Sequence, residues 1–216
     1  VDMFLAGTGW IDETLCGDRR RWLMLTDEEE SEPGQRGYRQ IRKYQAADEL
    51  LTKVLQCMEF PGAGGAEIFP SRVGIYSPSG WTESTRLAMA ITARLGKDGP
   101  SLYVGLNEFS PVMKLSGRCK NYDLSDVAYS WRRGRLDYGQ LERMTSHLEG
   151  FDGIPAPVNP AELAEISGTE VEALLENICA VGGYRNMVMD FGSSISGRHS
   201  LFEHCGRNVV IFPATE

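Results

Sequence analysis

Apolar residues along this chain follow two rhythms: compact runs bounded by polar or glycine-containing turns, and longer stretches with apolar positions at helical spacing. The runs "MFLA" and "WLML" read as short strands, each followed by a polar loop. "YRQIRKYQAADELLTKVLQCM" reads as a short strand running into a helix, with Ala47, Leu50, Leu51, Val54 and Leu55 on its apolar face. "EFPGAGGAEIFPS" then places two prolines and three glycines in a short span, the composition of a linker. The pattern predicts a first part over residues 1–58, a linker over 59–71 and a second part over 72–216.

The second part is more regular. Val73–Tyr76 is a buried-type strand and Ser77–Thr82 a loop. Thr82 or Ser84 is an N-cap for a helix with the stripe Leu87, Ala88, Ala90, Ile91 and Leu95, stopped by Gly96. Ser101–Leu106 is the next strand. "NYDLSDVAYSW" and "LDYGQLERMTSHLEGF" read as helical pieces, and "FDGIPAPVNPAELAEI" as a loop leading into a capped helix. "TEVEALLENICAVGG" is an amphipathic helix, while "RNMVMDFGS" and "RNVVIFPAT" are strands. Strands alternating with helices imply an α/β protein with a doubly wound, mostly parallel sheet and helices on both faces. Ligands of such sheets bind at the carboxyl ends of the strands, where Ser77, Asn107 and Asp190 fall.

Composition narrows the class further. With 42% apolar and 24% charged residues in 216, the chain has the material for a full core. Its net charge of −8 disfavours sequence-independent nucleic-acid binding, although Trp131–Arg135 is locally basic. No run is long enough for a membrane span and no signal-peptide pattern opens the chain, so a cytoplasmic protein is expected. Cys16, Cys57, Cys119, Cys179 and Cys205 show no C-x-x-C spacing and read as free thiols. The acidic run Asp27–Glu32 reads as a solvated loop. His199, His204 and Cys205 lack the spacing of a zinc set, and "GSSISG" only superficially approaches a serine-nucleophile elbow, so no metal ligand or catalytic residue is assigned.

Five segments carry a family resemblance: "GIYSPSGWTESTRLAMAITARL", "LYVGLNEFS", "LSDVAYSW", "FDGIPAPVNPAELAEISGTEVEALLENI" and "YRNMVMDFGSS". In order and spacing they resemble the MinD/ParA-type P-loop ATPases, and most closely the CpaE and TadZ branch that positions pilus-assembly machinery. The resemblance runs from about Arg72 to the C-terminus. The first part resembles the end of a receiver-like, flavodoxin-like domain entered at its third strand, with Lys43 near the receiver lysine. The chain ends after a strand where that family continues with helices, so a truncated P-loop domain is expected.

The resemblance makes the loop after the first strand of the second part comparable residue by residue. The family's K-G-G-x-G-K-T-[ST] falls on Ser79, Gly80, Trp81, Thr82, Glu83, Ser84, Thr85 and Arg86, and only Gly80 and Thr85 match. Ser84 stands where a lysine reaches the β- and γ-phosphates, and Ser79 where another lysine crosses to a partner's nucleotide. Glu83 replaces the glycine that lets the backbone close on a phosphate. Like charges about 4 Å apart repel by about 4 kcal/mol at an effective dielectric near 20. A lost charge-assisted contact adds about 1.5–3 kcal/mol. Together these remove roughly three to five decades of affinity.

Glu83 either satisfies the helix N-terminus in place of a phosphate or points to solvent in the first turn. Trp81 either plugs the loop or serves a protein contact. The family's D-x-D pair falls on Gly105 and Asn107, so both carboxylates are missing. Asp190 matches the aspartate that supports magnesium, and equally reads as a strand-end aspartate capping a turn.

The degenerate nucleotide site expected from the resemblance therefore comprises Gly80, Trp81, Thr82, Glu83, Ser84, Thr85, Asn107 and Asp190. It implies a pseudo-ATPase that positions or scaffolds pilus or secretion machinery, without a required cofactor. Weak ATP–magnesium binding and a nucleotide-switched dimer stay open as the alternative. The implied partners are a second copy of the chain and the assembly proteins of the machine. A polar or membrane-proximal location would follow through that partner, without membrane insertion.

Overall fold

The computed structural model describes residues 3–7, 22–26, 39–42, 45–46, 49–50, 52–54, 71–78, 83–108, 121–192 and 199–211. Runs of β-branched and other apolar residues form the middle of a single sheet: β4 (Ser71–Tyr76), β5 (Ser101–Gly105), β8 (Asn186–Asp190) and β9 (Arg207–Ile211). Both faces of these strands are covered, so their middles are continuous apolar runs instead of alternating, with the polar residues at the strand ends. Towards one edge come β1 (Met3–Gly7), β2 (Trp22–Thr26) and β3 (Arg39–Arg42), and towards the other β7 (Phe151–Ile154) and β6 (Ser146–Leu148). The order is β3-β2-β1-β9-β4-β8-β5-β7-β6, parallel except for the antiparallel β6–β7 pair.

Helix α1 (Glu83–Gly96) covers one face, and Ala88, Ile91 and Leu95 pack with Val73, Ile75, Tyr103 and Val188. Leu23, Leu25 and Ile41 join that same cluster. The strands of the first part thus extend the sheet of the second, with Met3–Leu5 in register with Val209–Ile211. The opposite face is covered by α2 (Leu124–Arg132), α3 (Tyr138–Met144), α4 (Pro160–Ala164), α5 (Gly168–Gly182) and α6 (His199–Glu203). Asp123, Asp137, Asn159 and Ser167 cap α2 to α5 with side-chain oxygens on first-turn amides, as their residue types lead one to expect.

Three local expectations are corrected. The helical reading of "LDYGQLERMTSHLEGF" ends at Met144, because Thr145 turns extended (ψ 135°) and its hydroxyl bonds back to the Leu141 carbonyl. "SHL" and "FDGI" then pair as β6 and β7 across a turn in which Gly150 has φ +87°, so "FDGI" is a strand and not a loop. Helix α1 begins at Glu83, which puts Ser84 inside its first turn and not at its cap. The other cap candidate, Thr82, and most of the 59–71 linker lie outside the described residues.

Candidate functional site

β4 and β8 are neighbours whose onward connections leave in opposite directions, β4 to β5 through α1 and β8 to β9 through α6. That divergence is the topological switch point, where the carboxyl ends of a doubly wound sheet open a crevice. Backbone bonds gather the strand ends there: Leu106 N–H to Asp190 O (2.8 Å), Phe191 N–H to Ile75 O (2.9 Å) and Ser77 N–H to Gly192 O (2.8 Å).

Side-chain alternation decides what faces α1. Val188 and Asp190 share one face of β8, and Tyr103, Gly105 and Asn107 follow one another with the same period of two along and just past β5. The result is a buried polar cluster. Asp190, 0% exposed, accepts at Oδ2 from the Thr85 hydroxyl (2.5 Å), the Asn107 amide (2.6 Å) and the Tyr103 phenol (3.0 Å). Its Oδ1 accepts from the Gly192 backbone N–H (3.1 Å). The second Asn107 N–H reaches Thr85 Oγ1 at 3.3 Å. Asn107 is 4% exposed, and its Oδ1 has no hydrogen-bond partner. The reversed amide would aim that oxygen at a carboxylate, so the contact to Asp190 fixes the orientation. Gly192, at φ +59°, lies against this amide, and a Cβ there would sit 2.5 Å from Asn107 Cβ.

Burial pushes the Asp190 carboxyl above the ordinary carboxylate range, and the bonds from Thr85, Gly192, Tyr103 and Asn107 pull it back. None of these four donors is charged. A buried carboxylate is costly unless it is hydrogen-bonded, and here neutral dipoles supply all four bonds.

The structure thus brings together Thr85, Asn107 and Asp190, with Ser84 buried in the first turn of α1 beside Thr85. Gly80, Trp81 and Thr82, with Ser79, lie outside the described residues, as does the side chain of Glu83. Sequence reading missed Tyr103 and Gly192. The signal for Tyr103 was present: a phenol in the middle of a fully buried strand, four residues before Asn107, needs a partner for its hydroxyl. His204 pairs with Glu172 at 3.0 Å, and the Cys205 thiol donates to Leu201 O. Among the described residues no group of three His, Cys, Asp or Glu side chains is placed to hold a metal ion. No described helix is long and apolar enough to cross a membrane.

A solved structure has a similar fold. The ParA family ATPase from Chlorobium tepidum TLS aligns with a TM-score of 0.55 and 25% identity, over 67% of this chain and 60% of that one. The fold is similar to that of a ParA family ATPase. No protein-family model matches the sequence, and no curated protein does.

A ParA-like fold raises the question of whether these residues fit a nucleotide with its divalent cation. The donor set around Asp190 does not fit the cation. Three donors crowd Asp190 Oδ2 and a fourth holds Oδ1, so the oxygen that meets Thr85 is saturated. The Thr85 hydroxyl gives its hydrogen to Asp190 and turns a lone pair to the Asn107 amide. Asn107 presents N–H groups towards this centre, where a magnesium ion requires oxygen.

Proposed function

We propose that this chain is a ParA-like protein that positions or scaffolds a larger assembly and does not hydrolyse nucleotide, in the manner of the CpaE and TadZ branch. The observation that carries the reading is the closed Thr85–Asn107–Asp190 cluster, in a chain whose "SPSGWTEST" loop contains no lysine. Hydrolysis needs charge to neutralise the γ-phosphate and a divalent cation to bridge phosphate oxygens. The loop sequence offers no lysine, and the Asp190 oxygen that meets Thr85 already accepts from three donors. By resemblance the chain works as a cytoplasmic homodimer on the assembly proteins of a pilus or secretion machine, reaching a polar or membrane-proximal position through them.

Titration calorimetry of the purified chain with ATP and magnesium tests the reading, at concentrations able to detect a dissociation constant of about 1 mM. The expected result is no heat of binding, with dimerisation in analytical ultracentrifugation indifferent to nucleotide. Micromolar, magnesium-dependent binding would refute it. That outcome would instead support the second reading, a weakly binding nucleotide-switched dimer. The retained Thr85 and Asp190 and the unpartnered Asn107 Oδ1 at the strand ends favour that alternative.

A further inference from the structure

We infer that Tyr103 and Asn107 take the place of a divalent cation on Asp190, so that the strand ends and the start of α1 are held in one arrangement with no ion required. The inference rests on the non-hydrolysing reading above and adds how the site is kept in a single state.

Asp190 is fully buried and ends the strand that separates β4 from β5. A carboxylate at this depth demands compensation, either by a cation or by hydrogen-bond donors. Its donors are a hydroxyl, a phenol, an amide and a backbone N–H, all from the chain itself. Tyr103 is the unusual member. It sits in mid-strand among Val73, Ile75, Ile91 and Val188, a setting otherwise filled by aliphatic side chains, and its phenol reaches along the sheet to Oδ2. Asn107 approaches from the end of the same strand. Its amide bridges Asp190 and Thr85 at the cost of leaving its own buried oxygen without a partner.

That cost, borne in order to place N–H groups on two oxygens, is what distinguishes the cluster from a generic buried network. An aspartate at 107 would turn the same corner into a two-carboxylate centre with the Thr85 hydroxyl alongside, an oxygen-only donor set suited to a small divalent cation. As it stands, the bonds that an ion would make or release on binding are made permanently by side chains. Any surface displayed by these strand ends and α1 is then constitutive.

Manganese binding, followed by the electron-spin resonance signal of the free ion, tests the inference on the full chain. The wild type should show no Asp190-dependent binding at millimolar manganese. Asn107→Asp, alone and with Tyr103→Phe, should gain sites at least about tenfold tighter than any wild-type binding, since ligand charge sets cation affinity. Adding Asp190→Asn should abolish the gain.

Wild-type binding that Asp190→Asn removes would overturn the proposal, and so would folded Asn107→Asp variants that gain nothing. If the variants do not fold, wild-type unfolding decides. A midpoint unmoved by about 10 mM magnesium supports the inference, and an Asp190-dependent rise refutes it, because a ligand of the native state stabilises by mass action. Calorimetry with ATP in the presence of a chelator separates the two readings. Binding there would sink the nucleotide-free reading and leave the ion-free cluster standing.

Discussion

Replacing Tyr103 with Phe removes one hydroxyl donor from a buried carboxylate. The phenol lies 3.0 Å from Asp190 Oδ2, and both residues are 0% exposed, so no solvent replaces the lost bond. A hydrogen bond to a charged group contributes about 1.5–3 kcal/mol, against about 0.5–1.5 for a neutral pair. Asp190 keeps three donors, which holds the expected loss in the first range. Stranding the charge outright would cost more.

The penalty should also depend on pH. Burial already raises the native pKa of Asp190, and losing a donor raises it further. A raised carboxyl pKa gives a contribution that is complete below the unfolded value near about 3.9 and is lost as pH rises through the native value. The Tyr103→Phe penalty should therefore grow across that window, from the neutral-pair range to the charged range.

Urea unfolding over a pH series measures the penalty, with Asp190→Asn as the second background. There no charge remains, so the penalty should stay in the neutral range at every pH. For a protein of this size 1 kcal/mol moves the thermal midpoint by about 2–4 °C, so a drop of about 3–12 °C accompanies the full effect. A cost under about 0.5 kcal/mol, the scatter of surface substitutions, would refute the reasoning. A cost unchanged by both pH and Asp190→Asn would do the same.

Gly192→Ala should lose about 1–2 kcal/mol from its left-handed backbone alone, and more from the 2.5 Å approach to Asn107, as read by chemical denaturation. Gly192→Ala should also weaken the Asn107–Asp190 contact, visible as altered hydrogen exchange at the Gly192 and Leu106 amides. In α5, Ser167→Ala should cost about 1 kcal/mol as a lost N-cap. The Ser167 backbone N–H, then its hydroxyl, holds the Glu170 pKa below the ordinary value. The hydroxyl's share of that stability is present at neutral pH and disappears as pH falls through the native value, which acid titration of the Ser167→Ala difference would show. Cys179, buried on α5 with its thiol pushed up to about 11, should react with a thiol reagent only as fast as the protein opens. Rapid labelling under native conditions would contradict its placement.

The alternation of strands and helices after Arg72 was legible because buried parallel strands are largely apolar runs and the helices carry an apolar stripe. Asp190 and Asn107 were legible as strand-end polar residues, and Thr85 through the family pattern. The β6–β7 hairpin was hidden, because "ERMTSHLEGF" has helix-compatible residues. Only pairing across the Gly150 turn makes its second half a strand.

Local chemistry along the chain was enough to determine the α/β class and the polar strand ends at Ser77, Asn107 and Asp190. Tertiary structure alone decided that β1–β3 extend one sheet and share its core with α1, since edge pairing and a common cluster leave no mark on local periodicity. It also decided that Tyr103, Thr85, Asn107 and Gly192 converge on one buried carboxylate, up to 105 residues apart in sequence. A buried charge is compensated by whatever dipoles the packing brings within about 3 Å, and that distance is fixed by the fold and not by the order of residues.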